Sequence, residues 1–183
     1  MYLTGGQFKG RKIEVPKDVK PTLSKVRESV FNMLQGFEFE ENTFLDMCAG
    51  SAIMGLEAIS RGFKTDEIEI NPKTASIIKN TYSKLKIEPN IIVSDCLKYK
   101  TEKKYDIIYL DPPWAQNYEK YIVKAYELLS NNGVMILEYD EKNPVEVENI
   151  IKSNELKLNI VKAKKYGRCL IRILQKNTQL NIS

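Results

Sequence analysis

Residues 105–114 read Tyr-Asp-Ile-Ile-Tyr-Leu-Asp-Pro-Pro-Trp. A short apolar run with the aromatic and branched residues of a strand ends in an acid, two prolines and a large ring. Proline has no N–H to give to a sheet ladder, so the strand must stop at Leu110. The corner that follows fixes Asp111, Pro112, Pro113 and Trp114 at the strand's carboxyl end, where open α/β sheets bind ligands. A rigid acceptor beside a flat aromatic suits the clamping of a planar base through its exocyclic amine.

Working outward, strands and helices alternate. A strand is expected over 44–48, then a glycine turn over 49–55 and a helix over 56–61 stopped by Gly62. A strand over 67–70 precedes a helix opening near Pro72. Strands over 91–93 and 105–110 are followed by a helix over 119–129, which Asn131-Asn132-Gly133 ends. A strand over 134–138 and a helix over 145–152 come next. Strands over 157–163 and 169–174 close the pattern around the turn Tyr166-Gly167. Alternation of this kind predicts a mostly parallel seven-stranded sheet covered by helices on both faces. The short last turn forces one antiparallel strand.

Residues 1–20 differ in character. Gly5, Gly6 and Gly10 interrupt a stretch carrying Lys9, Arg11 and Lys12, and Ile13-Glu14-Val15 alternates as a strand. A small N-terminal β-hairpin turning at Gly10 is expected, closed off by Pro16 and Pro21. Helical spacing over 22–34 follows, with Thr22 or Ser24 as its cap. The expected organisation is one domain over 1–183, with a basic hairpin at 1–20, a core at 21–175 and a polar tail at 176–183.

Composition narrows the chemistry. The 183 residues are 43% hydrophobic and 28% charged, with a net charge of +4. That balance supports a globular core and mildly favours polyanionic partners. The chain holds no histidine, which removes His-based triads and His general bases. Cys48, Cys96 and Cys169 form no Cys-x-x-Cys pair, so neither a disulfide framework nor a metal site is expected. No apolar run approaches the ~18 residues of a membrane span, and the N-terminus does not read as a signal peptide. A cytoplasmic monomer is expected.

Four features occur in the order that a nucleoside-binding crevice requires. The turn after the first strand, from Asp46 through Gly50, Ser51 and Ala52 to Gly55, lets backbone approach a ligand. Glu69, with Ile70 behind it, ends the second strand 19 positions beyond Gly50, the spacing of an acid that receives ribose hydroxyls. Asp95 and Cys96 follow the third strand, where Asp95 can accept from an adenine amine. The Asp-Pro-Pro-Trp corner follows the fourth. A dehydrogenase shares the glycine turn, but the Gly-x-Gly-x-x-Gly series is broken at Ala52, and that class gives no reason for Asp-Pro-Pro-Trp.

These residues resemble a known family. Asp111-Pro-Pro-Trp114 is similar to the clamp of amino-group methyltransferases that use S-adenosylmethionine. Gly5 through Lys12, Pro21-Thr22, Val26 through Asn32, and Leu45-Asp46 through Gly62 resemble the bacterial small-subunit ribosomal RNA guanine-N2 methyltransferases. The likeness runs from about Leu3 to Leu174. It implies a Rossmann-like class I methyltransferase that modifies one guanine of 16S ribosomal RNA, free or in the small ribosomal subunit. On it, Asp46, Gly50, Ser51, Glu69 and Asp95 line the S-adenosylmethionine site, with Thr22 and Arg27 bordering it. Asp111 to Trp114 hold the base. Ala52 stands where the family has glycine, which turns a methyl toward the cofactor or marks a backbone that needs no positive φ. Asn71 replaces a common acid, and Trp114 replaces Tyr or Phe.

On this reading the base is extruded, stacked on Trp114, and held by Asp111 and the Pro112 carbonyl. Lys9, Arg11 and Lys12 neutralise RNA phosphates. An adenine-N6 methyltransferase shares the clamp and stays open, as does a nucleic-acid-binding module without catalysis.

Overall fold

The structure, a computed structural model, describes residues 1–16, 19, 21–88, 90–113 and 117–177. The elements run α1 (Ser24–Met33), β1 (Thr43–Asp46), α2 (Ile53–Ser60), β2 (Lys64–Glu69), α3 (Pro72–Lys84) and β3 (Asn90–Val93). They continue with β4 (Tyr105–Leu110), α4 (Tyr118–Leu128), β5 (Leu129–Asp140), α5 (Val147–Ser153), β6 (Leu158–Tyr166) and β7 (Cys169–Lys176).

The sheet is seven-stranded in the order β3-β2-β1-β4-β5-β7-β6. Neighbours from β3 to β5 pair in parallel, and β7 runs antiparallel to both β5 and β6. The chain moves outward from β1 through β2 to β3, then returns to lay β4 on the other side of β1. That reversal opens a crevice at the carboxyl ends of β1 and β4.

Alternate side chains of the central strands feed two cores. Phe44, Ile107 and Ile136 pack with Val30 of α1, Leu56 of α2 and Ile78 of α3. Leu45, Ile108 and Leu137 pack on the opposite face with Ile122 of α4 and Val147 of α5. Each such side chain contributes about 1.5–3 kcal/mol by leaving water. Gly55 lets α2 lie against β2, since a Cβ there would fall 1.8 Å from a carboxylate oxygen of Glu67.

The N-terminal segment folds differently from the expected hairpin. Leu3 N–H donates to Arg11 O at 3.0 Å and Ile13 N–H to Met1 O at 2.8 Å, yet only Tyr2 and Lys12 form a ladder bridge. The reversal is a broad turn rather than a tight one at Gly10, because its donors serve α2. Gln7 N–H reaches Ser60 O at 2.7 Å, and Phe8 N–H reaches Ser60 Oγ at 2.9 Å. Leu3 and Ile13 sink into the first core, so this segment is part of the fold.

Other boundaries shift for local reasons. The N-cap of α1 is Leu23 with no side-chain bond, not Thr22 or Ser24. The Thr22 hydroxyl instead lies 3.4 Å from that of Tyr109. The expected break at Asn131-Asn132-Gly133 lies inside β5. Leu129 already pairs with Tyr105, and the ladder resumes at Val134 opposite Ile107, so Ser130 to Gly133 bulge out of register.

Candidate functional site

The carboxyl ends of β1, β2 and β4 surround a cavity of about 520 Å³. After Asp46, Met47 N–H donates to Tyr109 O at 3.0 Å and Ala49 N–H to Ile68 O at 2.9 Å, tying the turn to both neighbouring strands. Gly50 then takes φ +52°, which its lack of a side chain makes cheap. Glu69 holds this turn in place. One carboxylate oxygen accepts Gly50 N–H at 2.9 Å and the other accepts Asn71 N–H at 2.7 Å. Asn71 in turn caps α3, accepting from Lys73 N–H at 2.9 Å. Asp95 accepts Leu97 N–H at 3.0 Å.

Of the residues singled out in the sequence, Thr22, Asp46, Gly50, Ser51, Glu69, Ile70, Asp95, Cys96, Asp111, Pro112 and Pro113 all line this cavity. Trp114 lies outside the described residues. Two expectations are corrected. Arg27 does not reach the cavity, because its guanidinium is buried at 2.9 Å from Glu57 and also donates to Tyr2 O at 2.7 Å and Thr22 O at 2.5 Å. Ala52 is fully buried in the first core and does not line the cavity, and it does adopt positive φ, at +56°. Lys9, Arg11 and Lys12 are exposed and line neither this cavity nor the one beside it.

The cavity is acidic. Asp46, Glu69, Asp95 and Asp111 line it, and no Lys or Arg does so among the described residues. Burial pushes the Asp46 carboxyl up to about 7, helped by the charges of Glu69 and Glu138 and opposed by the backbone N–H groups of Gly55 and Cys48. Such a group favours a cationic neighbour. Cys48 and Cys96, distant in sequence, meet here with sulfurs 3.9 Å apart, and both are free thiols. Their shared hydrogen bond raises the Cys48 thiol and lowers that of Cys96, which the backbone N–H groups of Cys96 and Leu97 also favour as thiolate.

A second cavity of about 230 Å³ adjoins the first, and Thr22 and Asp111 line both. Glu138, Asp140, Tyr166 and Arg168 contribute to its wall. Glu138 accepts the hydroxyl proton of Tyr109, whose own acidity is suppressed by burial and then by the charges of Glu138 and Asp111. Tyr109 and Glu138 were not legible as site residues. The hint for Tyr109 was its place two residues before Asp111 on β4. For Glu138 it was an acid directly after the apolar run Val134 to Leu137.

This sheet order, with a glycine turn after β1 and an acid ending β2, is that of a class I methyltransferase, whose cofactor is S-adenosylmethionine. The comparisons narrow this further. The chain belongs to the family described as conserved hypothetical protein 95, whose model matches residues 1–175. It is 34% identical over 158 residues to the ribosomal RNA small subunit methyltransferase D of Buchnera aphidicola from Acyrthosiphon pisum, covering 80% of this chain and 82% of that one. The Escherichia coli K12 protein of the same description is 28% identical over 184 residues, covering 97% and 90%. The solved Escherichia coli protein yhhF superposes with a TM-score of 0.81 at 25% identity, covering 98% of this chain and 99% of that one.

Proposed function

We propose that the chain transfers a methyl group from S-adenosylmethionine to the exocyclic N2 amine of a guanine in 16S ribosomal RNA. The observation that carries this reading is that Asp111 lines both cavities at once. One cavity takes the methyl donor, the other a base, and the acid stands between them. The descriptions of the Buchnera and Escherichia coli relatives support small-subunit ribosomal RNA as the substrate.

The donor set of the larger cavity fits the cofactor. Its carboxylates suit a ligand carrying a sulfonium, an ammonium and ribose hydroxyls, and the proton that burial holds on Asp46 is lost readily beside a cation. When bound, S-adenosylmethionine supplies a methyl group already activated as an electrophile. Glu69 orients the glycine turn and receives ribose hydroxyls, with Ile70 beside it. Gly50, Ser51 and Asp46 lie against the donor's polar tail, and Asp95 and Cys96 against its adenine. Asp111 and the Pro112 carbonyl accept hydrogen bonds from the target amine, turning its lone pair toward the methyl. Pro112 and Pro113 make that corner rigid, and Trp114 stacks on the flipped base. No strong base is needed, since the proton leaves after transfer.

Lys9, Arg11 and Lys12 stand exposed on a segment anchored to α2, and we assign them to the RNA backbone. The reading makes the protein a cytoplasmic monomer acting on ribosomal RNA or the small subunit. No helix among the described residues is long and apolar enough to cross a membrane.

The test is nucleoside mass spectrometry of small subunits from cells lacking this protein, before and after treatment with the protein and S-adenosylmethionine. N2-methylguanosine should appear only after treatment. Appearance of N6-methyladenosine instead replaces this reading with the adenine alternative.

A further inference from the structure

We infer that the second cavity seats the target base and that Glu138 identifies it as guanine. The inference rests on the methyl-transfer reading and adds the residue that chooses the base.

The placement follows from the shared wall. A base seated beside Asp111 and Thr22 in the smaller cavity has its edge at the border of the larger one. Leu23, Val26 and the ring of Tyr166 supply apolar surface for a planar group. The polar groups then decide which base fits. Arg168 and Asp140 satisfy each other, with guanidinium-to-carboxylate distances of 3.2 and 2.7 Å. The other carboxylates on this wall are Asp111 and Glu138.

Glu138 is held by two neighbours. One of its oxygens accepts the Tyr109 hydroxyl, and the other takes the Cys169 thiol at 3.3 Å. These two donors fix how the carboxylate is turned. An ionised carboxylate presents acceptors only.

Base chemistry discriminates sharply against such a wall. Guanine alone among the four bases carries two adjacent donors on its Watson–Crick edge, the N1–H and the N2 amine. Adenine and cytosine put a bare ring nitrogen beside their amine, and uracil flanks its N–H with carbonyls. Asp111 receives the N2 amine and Glu138 receives N1–H. With adenine or cytosine, Glu138 faces a lone pair. A site built to accept a hydrogen bond rejects analogues that cannot donate it.

The experiment uses small subunits reconstituted with 16S ribosomal RNA carrying 2-aminopurine at the nucleotide found methylated. That base keeps the N2 amine and lacks the N1 proton. Wild-type protein should methylate guanine at least about 100-fold more efficiently than 2-aminopurine. Glu138→Gln can donate to a bare N1 as well as accept, so it should weaken guanine methylation and narrow this ratio at least about tenfold. Its affinity for S-adenosylmethionine by calorimetry should stay within about threefold of wild type. Wild-type protein that methylates 2-aminopurine within about tenfold of guanine overturns the assignment, however the variant folds. An unchanged ratio in a Glu138→Gln protein that binds the cofactor overturns it too. Both results leave methylation of guanine standing, whereas methylation of adenine by wild-type protein removes both.

Discussion

Glu69 accepts the Gly50 amide at 2.9 Å, so the end of β2 holds the turn that follows β1. The acid that the spacing assigned to the cofactor's ribose also shapes the loop beneath it. Replacing Glu69 with Ala removes both effects. Hydrogen bonds to charged groups contribute about 1.5–3 kcal/mol each, so S-adenosylmethionine affinity should fall at least tenfold. Isothermal calorimetry measures this directly, and an affinity within twofold of wild type refutes the assignment.

The raised Asp46 carboxyl makes cofactor binding depend on pH. Burial holds its proton to about 7 in the folded chain, against about 3.9 unfolded. Between these values the folded state binds more protons, so this group's contribution to stability is present at low pH and is lost as pH rises toward 7. A sulfonium or ammonium beside Asp46 favours the ionised form and expels the proton. Affinity should therefore increase as pH rises toward 7 and level off above it. Calorimetry in buffers of different ionisation enthalpy should detect proton release at pH 6, and Asp46→Asn should abolish it. Equal release from the variant assigns the proton elsewhere.

The parts of this architecture that depend on local chemistry were legible in advance. Tyr105–Leu110 was delimited to the residue, since two prolines end it and a lysine pair precedes it. Glu69 and Asp95 followed from strand ends and spacing. What required the fold was pairing across distance. The resemblance places Arg27 at the border of the cofactor site and says nothing of Glu57, and only the packing of α1 on α2 buries the two together. Glu138 meets Tyr109 because β5 lies beside β4, and that strand order is not a property of either segment. Cys48 and Cys96 converge for the same reason, on loops after β1 and β3. At Ala52 the β-carbon argues against the left-handed backbone that the chain adopts.

Arg27 should prove structural. Glu57 accepts from Arg27, Arg61 and both the amide and hydroxyl of Thr4, the latter two at 2.9 Å, so the network pins the N-terminal segment to α2. Arg27→Met strands part of a buried carboxylate and should cost about 3 kcal/mol. For a chain of this size that is a fall of roughly 10 °C in Tm by calorimetric scanning. S-adenosylmethionine affinity below that Tm should stay within about threefold of wild type. A large loss of affinity with an unchanged Tm restores Arg27 to the binding site.

Cys48 and Cys96 report on occupancy of the larger cavity. Both line it, and Cys96 is the readier thiolate because Cys48 and two backbone N–H groups favour its charge. Iodoacetamide should reach both thiols through this cavity, with the thiolate as the nucleophile. Saturating S-adenosylmethionine should slow both at least about tenfold, while Cys169, in the wall of the other cavity, serves as reference. Peptide mass spectrometry follows each site. Unprotected Cys96 under saturating cofactor means that the donor binds elsewhere.

The basic N-terminal segment needs point substitutions rather than truncation. Removing residues 1–15 takes Leu3 and Ile13 out of the core and uncovers Glu57, so loss of RNA binding in such a fragment is uninformative. Lys9, Arg11 and Lys12 are exposed, and replacing all three with Ala leaves those contacts intact. If each neutralises one phosphate, the slope of log affinity against log salt should shrink by about 2.1–2.7, at about 0.7–0.9 per contact. S-adenosylmethionine affinity should not change. Filter binding of small-subunit ribosomal RNA across a salt series gives the slope. A slope equal to that of wild type removes these three residues from the RNA interface.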